Sequence, residues 1–227
     1  MKTSKIFILL VIFFATSLQS CFEIREVVSF REDGSGSFSL SIDLSKVKQM
    51  IKGLNQQEDI ENRSPIQNMS DEYEKTKAKL EVVDGISNLR FISENDGYVI
   101  TTGFDFKDID ALNKGMDVVY ENESDAASVP EYYRFKRWRF ERTSSHNFID
   151  QLKNEFTGSD LGMEGLDLAT IFGDVAYINE VHFEGQKIRR VRSGNAVISE
   201  DGTTATNRYL VFKDSDDQSL EFRLTVR

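Results

Sequence analysis

The sequence predicts an α+β fold: an antiparallel β-sheet of hairpins and a C-terminal β-meander, with amphipathic helices packed on one face. Three observations carry that prediction. Apolar and polar residues alternate near the beginning and again through the last quarter; Gly-containing turns join the alternating runs; and the segments between them repeat with helical period. Tight turns make neighbouring strands antiparallel, and a helix with one apolar stripe needs a sheet face to cover.

Phe22, Ile24, Val28 and Phe30 share one parity, with Glu23, Arg25, Ser29 and Arg31 opposite. After Glu32-Asp33-Gly34-Ser35-Gly36, Phe38, Leu40, Ile42 and Leu44 alternate with serines and Asp43, which completes a hairpin. Ser45 is placed to cap a helix carrying Val47, Met50, Ile51 and Leu54. Residues 55–68 are polar, contain Pro65 and read as a flexible loop. Met69, Tyr73, Thr76, Leu80 and Val83 mark a second helix ending near Gly85. Leu89 to Ile92 is a strand, Asn95-Asp96-Gly97 a turn, and Tyr98, Ile100, Thr102, Phe104 and Phe106 the returning strand. Asp108 caps a helix bearing Ile109, Leu112 and Met116. Residues 121–131 form an acidic, flexible loop.

Tyr132 to Arg142 reads as one strand, followed by a helix with Phe148, Leu152 and Phe156 and a Gly-punctuated stretch from Gly158 to Gly173. The end is all β. Val175, Tyr177, Val181 and Phe183 form one run, Ala196 and Ile198 another; Asp201-Gly202 leads to Tyr209–Phe212, and Leu220 to Val226 closes the sheet.

The N-terminus carries the most specific signal. Lys2 and Lys5 precede an unbroken apolar run, Ile6 to Ala15, and a short polar stretch to Ser20. That is the layout of a signal peptide, and the run is too short to span a bilayer comfortably. Leu18-Gln19-Ser20-Cys21 resembles a lipobox. The resemblance implies cleavage before Cys21, with residues 1–20 the signal peptide and 21–227 a single lipid-anchored domain. It also implies diacylglycerol on the thiol and acylation, as by palmitate, of the new amino terminus. Acyl chains at ~0.8 kcal/mol per buried methylene anchor without a transmembrane helix. Phe22, not Asp, follows the cysteine, which favours an outer-membrane lipoprotein facing the periplasm.

Cys21 is the only cysteine, so the rest of the chain has no disulfide and no thiolate chemistry. The formal net charge is −10, and loss of residues 1–20 would remove only two lysines. So acidic a chain is not expected to bind nucleic acid. Seventeen Phe and seven Tyr argue for an aromatic core and against disorder.

Several further segments complete a second likeness. Gly103-Phe104-Asp105-Phe106 leads into Ile109-Asp110-Ala111-Leu112-Asn113, and Ser193-Gly194-Asn195-Ala196 precedes Ser199-Glu200-Asp201-Gly202-Thr203-Thr204-Ala205-Thr206. With the lipobox and the Asp-Gly-Ser-Gly turn, these resemble the bacterial lipoproteins with an LppM-type domain. The resemblance implies an α+β envelope domain with a role near envelope lipids or glycolipids, and supplies no catalytic residues.

Motifs for catalysis are few. Only His146 and His182 offer an imidazole, and no G-x-S-x-G elbow accompanies them. His182 is expected to face solvent or a cross-strand partner. Two histidines far apart do not make a zinc site, and Asp214-Ser215-Asp216-Asp217 lacks the Gly and Glu of a calcium loop. No cofactor or metal is expected.

What stands out is Tyr132–Arg142, with five cations and five aromatics in an acidic protein. Read as a single strand, it places Trp138 and Phe140 on the parity of Arg134, Lys136 and Arg142, so neither face is apolar. Arg134, Lys136, Arg137, Trp138 and Arg139, with Arg189 and Arg190 from a second basic run (Lys187 to Arg192), form a candidate surface for a lipid, a glycolipid or an envelope protein. Whether the two runs meet is not written in the sequence. The favoured expectation is a non-catalytic envelope binding lipoprotein. The alternatives are a structural or assembly component of an envelope complex and, behind it, an envelope hydrolase.

Overall fold

The computed structural model describes residues 23–45, 65–120, 131–143, 149, 153, 173–213 and 218–227. The helix expected after Ser45, most of the 55–68 and 121–131 loops, His146 and Asp214–Asp217 lie outside the described residues, as does nearly all of the stretch from 144 to 172. Within that stretch, positions 149 and 153 are helical and Ile149 is buried.

The fold is mixed α+β, mostly antiparallel strands with two helices among the described residues. Strands β1 (Glu23–Phe30) and β2 (Gly36–Asp43) form the expected hairpin, with Phe30 opposite Gly36. Gly34 turns it at φ +85°, a conformation that strains any residue with a Cβ. Helix α1 (Pro65–Glu81) begins four residues inside the segment read as loop. A proline at a helix's first position loses no hydrogen bond and presets φ, so Pro65 starts the helix instead of breaking a loop. Its Tyr73 stacks on Phe91 at 4.0 Å and Leu80 is buried.

Strands β3 (Ile86–Glu94) and β4 (Val99–Phe106) flank the 3-10 turn Asn95–Gly97. Helix α2 (Ile109–Val119) is capped as expected, Asp108 Oδ1 accepting from the Ala111 amide at 2.9 Å. It packs close on β4: a Cβ on Gly115 would come 2.5 Å from the Phe104 ring.

The segment Tyr132–Arg142 is a hairpin, not one strand. β5 (Tyr133–Lys136) and β6 (Arg139–Arg142) pair across a turn in which Arg137 takes φ +56°. Two turn residues reverse direction and keep facing residues on one side. Phe135 therefore meets Phe140, and Tyr133 meets Arg142. The mixed faces of the single-strand reading thereby sort themselves out. Tyr133, Phe140 and Arg142 are buried, while Lys136 and Arg139 are exposed.

The C-terminal part is not a meander in one sheet. Its strands are β7 (Ala176–Phe183), β8 (Ile188–Ser193), β9 (Val197–Ile198), β10 (Thr204–Leu210) and β11 (Phe222–Val226). β7, β10 and β9 extend a seven-stranded sheet ordered β3-β4-β2-β1-β7-β10-β9, whereas β8 and β11 join a four-stranded sheet ordered β5-β6-β11-β8. The basic run after Gly185 is itself a strand, and the strand expected at Tyr209–Phe212 lies earlier, at Thr204–Leu210. One pairing, β1 with β7, is parallel. Between the sheets Phe30 meets Phe106, Phe140 and Phe183 at 5.4–5.7 Å, the offset and edge contacts aromatic cores favour.

Candidate functional site

Two charged clusters lie on opposite sides of the β5–β6 hairpin. The inner one centres on Glu26, which shares the buried parity of Ile24 and Val28 and is 0% exposed. Its Oε2 accepts from Tyr120, Tyr177 and Arg142 Nη2, the last at 3.2 Å, and its Oε1 accepts from Tyr133 and Asn179 Nδ2. Every contact is a donor, so the group sits as a saturated carboxylate paired with a guanidinium that is 1% exposed. Arg142 also lies over the Tyr133 ring at 4.9 Å. Burial works against its charge, but Glu26 and the three phenols hold its pKa above the ordinary value. Burial, and then the Glu26 charge, push Tyr120, Tyr133 and Tyr177 well above the usual phenol range. The cluster joins β1 and β7 of one sheet to β5 and β6 of the other, through the end of α2. Asn113 on α2 adds a second tie, since its Nδ2 and Oδ1 bond the Tyr133 carbonyl and amide at 2.9 Å each.

The outer cluster holds the residues singled out from the sequence. Arg134, Lys136, Arg137, Trp138 and Arg139 line a shallow groove of about 400 Å³ with Glu141. The two basic runs meet. Arg139 and Arg190 face the same residue, Thr225 of β11, from either side. Arg192 lies 4.9 Å and Arg139 5.4 Å from the Trp138 ring centroid. Arg192 Nε donates to Thr225 Oγ1 at 2.7 Å. Loss of hydration, then the charges of Arg190 and Arg139, pull the Arg192 pKa below its ordinary value. Arg134 differs from these, because Glu131 and Glu141 pair with it. Glu141 also lies 3.5 Å from Arg223. Arg139, Arg189, Arg190 and Arg192 form no ion pair among the described residues. Arg189 is exposed on β8 next to Arg190, at the border of the cluster.

Sequence reasoning passed over three parts of this picture. Glu26 was legible as an acid on an apolar parity, between Ile24 and Val28. Thr225 and Arg223 come into the site only through the pairing of β11, which no local pattern announces. Arg192 belonged to the second basic run, and its stacking on Trp138 depends on a strand order that brings β8 within reach of β6.

His182 has the cross-strand partner expected of it. Its Nδ1 lies 2.8 Å from Thr204 Oγ1 and its Nε2 2.6 Å from Glu180 Oε1. The order hydroxyl, imidazole, carboxylate is that of a proton relay. Here it runs along a sheet face between neighbouring strands, and Arg25 engages the same carboxylate at 3.0 Å. Among the described residues no group of three or more His, Cys, Asp or Glu is placed to hold a metal ion, and no helix is long and apolar enough to cross a membrane.

No protein-family model matches the sequence, and no curated protein matches it. Among solved structures, the chain is similar to the folded domain of LppM from Mycobacterium tuberculosis, determined by NMR. The two share 9% identity at a TM-score of 0.40, over 92% of this chain and 91% of that one.

Proposed function

We propose that this chain is a cell-envelope lipoprotein, cut before Cys21 and held by acyl chains there, whose folded part is a non-catalytic binding module for an anionic lipid or glycolipid headgroup. On this reading it sits in the outer membrane and faces the periplasm. The observation that carries it is the stacking of Arg139 and Arg192 on Trp138, with Arg190 near Arg192, and no ion pair for any of the three among the described residues. Like charges gathered without a counter-charge among the described residues, in a protein of net charge −10, are suited to an oxyanion from outside.

Trp138 is the only tryptophan, so its fluorescence reports this site alone. Titrating the purified protein with short-chain phosphatidylglycerol should give a saturable change in emission, with none for phosphatidylcholine. Replacing Arg139 and Arg192 with Ala should weaken that response. An emission that ignores phosphatidylglycerol would remove the site assignment. The hydrolytic alternative rests on the Thr204–His182–Glu180 line; an esterase activity lost in Thr204→Val would favour it over pure binding.

A further inference from the structure

We infer that the Trp138 cluster engages a phosphate-bearing lipid surface other than the bilayer that holds Cys21, so that the protein stands between two surfaces. The inference rests on the reading of Cys21 as the anchor and of the cluster as the oxyanion site. It adds the side from which the ligand comes.

The first support is the polarity of β1. Cys21 precedes Glu23, the first residue of β1, by two positions, which span about 7 Å at most. β1 then runs about 23 Å from Glu23 to Phe30 at ~3.3 Å per residue. The inner sheet faces fix the level of the hairpin along that strand. Glu26 meets Tyr133 and Arg142, where the hairpin opens, while Phe30 meets Phe135 and Phe140, next to its tip. The tip carries Arg137 and Trp138, and the Trp138 carbonyl accepts from the Val226 amide at 2.9 Å. Arg227 and Lys187 exchange backbone hydrogen bonds beside it, and Ile188 bonds Gly202. All of these lie at the Phe30 end, away from the anchor.

The second support is charge at the anchor end. Among the described residues, Glu23, Asp43, Glu94, Asp96 and Asp174 gather where β1 begins, next to Val99 and Ala176 in the strand register, with Arg25 paired to Glu23 and Lys213 at the same end. Acids outnumber bases at that end among the described residues, whereas the hairpin tip gathers cations, so anionic headgroups are drawn to the tip more than to the anchor end. Laying the domain flat does not solve the problem. The outer face of the four-stranded sheet is a sheet spacing of ~10 Å from β1, more than the two residues after Cys21 can reach.

The third support is shape. A small ligand is taken into a pocket that buries most of it, whereas the groove here is shallow and its neighbours Lys136, Arg137, Arg139, Arg189, Arg190 and Arg192 are exposed. An open array of cations with a tryptophan at a hairpin tip fits repeated headgroups and the interfacial zone that Trp prefers.

The test uses the lipidated full chain in a supported phosphatidylcholine bilayer, with vesicles added from solution. Phosphatidylglycerol vesicles should be captured and should shift Trp138 emission, while phosphatidylcholine vesicles should do neither. Arg139→Ala with Arg192→Ala should cut capture by about tenfold or more, and Lys213→Ala, at the anchor end, should leave it unchanged. An emission shift in a supported phosphatidylglycerol bilayer with no added vesicle, and no capture, would overturn the direction while sparing the binding site. A response to soluble polyphosphate but not to vesicles would overturn the lipid surface in favour of a polymer. Silence in every arrangement would overturn the site reading as well.

Discussion

Arg139 and Arg142 stand three residues apart on one short strand and face opposite ways. Arg142 is buried with Glu26, three phenols and an asparagine around the pair; Arg139 is exposed beside Arg190, Arg192 and an indole. The inner guanidinium has its counter-ion within the chain, Glu26, although its Nε makes no hydrogen bond among the described residues. The outer ones meet Trp138 and Thr225 and form no ion pair among the described residues. A charge taken out of water must bring its partner along, because desolvation costs several kcal/mol per ion. A charge left at the surface is solvated and has no such requirement, so several like charges held there around one indole stay available to a ligand from outside. One hairpin thus carries a structural lock on one face and a candidate binding surface on the other.

The largest effect should follow from breaking the lock. Glu26→Ala leaves Arg142 buried without its counter-ion, and should cost about 3–5 kcal/mol in urea unfolding. The paired change Glu26→Leu with Arg142→Met should recover much of that, because apolar side chains of similar volume replace both charges. A Glu26→Ala cost no larger than that of an exposed substitution would mean that the ion pair does not hold the sheets together.

The tyrosines around Glu26 sharpen the same point with pH. Their pKa values are raised in the fold, so the folded state keeps protons that the unfolded chain releases above pH ~10. Their contribution is fully present below that pH and is lost as pH rises, by up to about 1.4 kcal/mol per pH unit for each phenol. Urea unfolding followed from neutral to alkaline pH should therefore show stability falling steeply past about pH 10. The phenolate absorbance of Tyr120, Tyr133 and Tyr177 should appear with unfolding, not before it. Early, reversible ionisation of all the tyrosines would contradict the burial.

Asn113→Ala is a milder attack on the inner side. It strips the Tyr133 amide and carbonyl of their side-chain partner at the outer edge of β5, and leaving such groups unsatisfied costs about 1–3 kcal/mol. Thermal unfolding should show that loss, and hydrogen exchange should quicken at the Tyr133 amide in particular. An unchanged exchange rate there would mean that another group takes the place of Asn113.

Much of the scaffold was legible in short stretches of sequence. Alternation around Gly34 placed the first hairpin, Asn95-Asp96-Gly97 the second, and Asp108 the start of α2. What escaped was set by distance or by the absence of a marker. The turn at Arg137-Trp138 contains no Gly, Pro, Asn or Asp, so the hairpin read as one strand and its faces looked mixed. β8 hid behind its charges, since a strand with one wet face and a basic edge shows few apolar positions. The parallel pairing of β1 with β7 joins segments about 150 residues apart, and the switch of β8 and β11 to a second sheet follows from tertiary packing alone. The candidate residues lie on two basic runs that the strand order brings together at Thr225, a neighbourhood no local pattern announces.

The smallest effect should come from the outer face, and that is where it separates most clearly from the inner one. Arg139→Ala with Arg192→Ala removes two of three neighbouring like charges that form no ion pair among the described residues. The urea midpoint should stay where it is or rise slightly, because repulsion is relieved and little buried surface is lost. The same variant should lose its Trp138 response to phosphatidylglycerol. Binding lost with stability kept is the signature of a surface maintained for something outside the chain. A fall in stability comparable to that of Asn113→Ala would instead make the stack of arginines on Trp138 a structural brace, and the two faces of the hairpin would then differ only in depth.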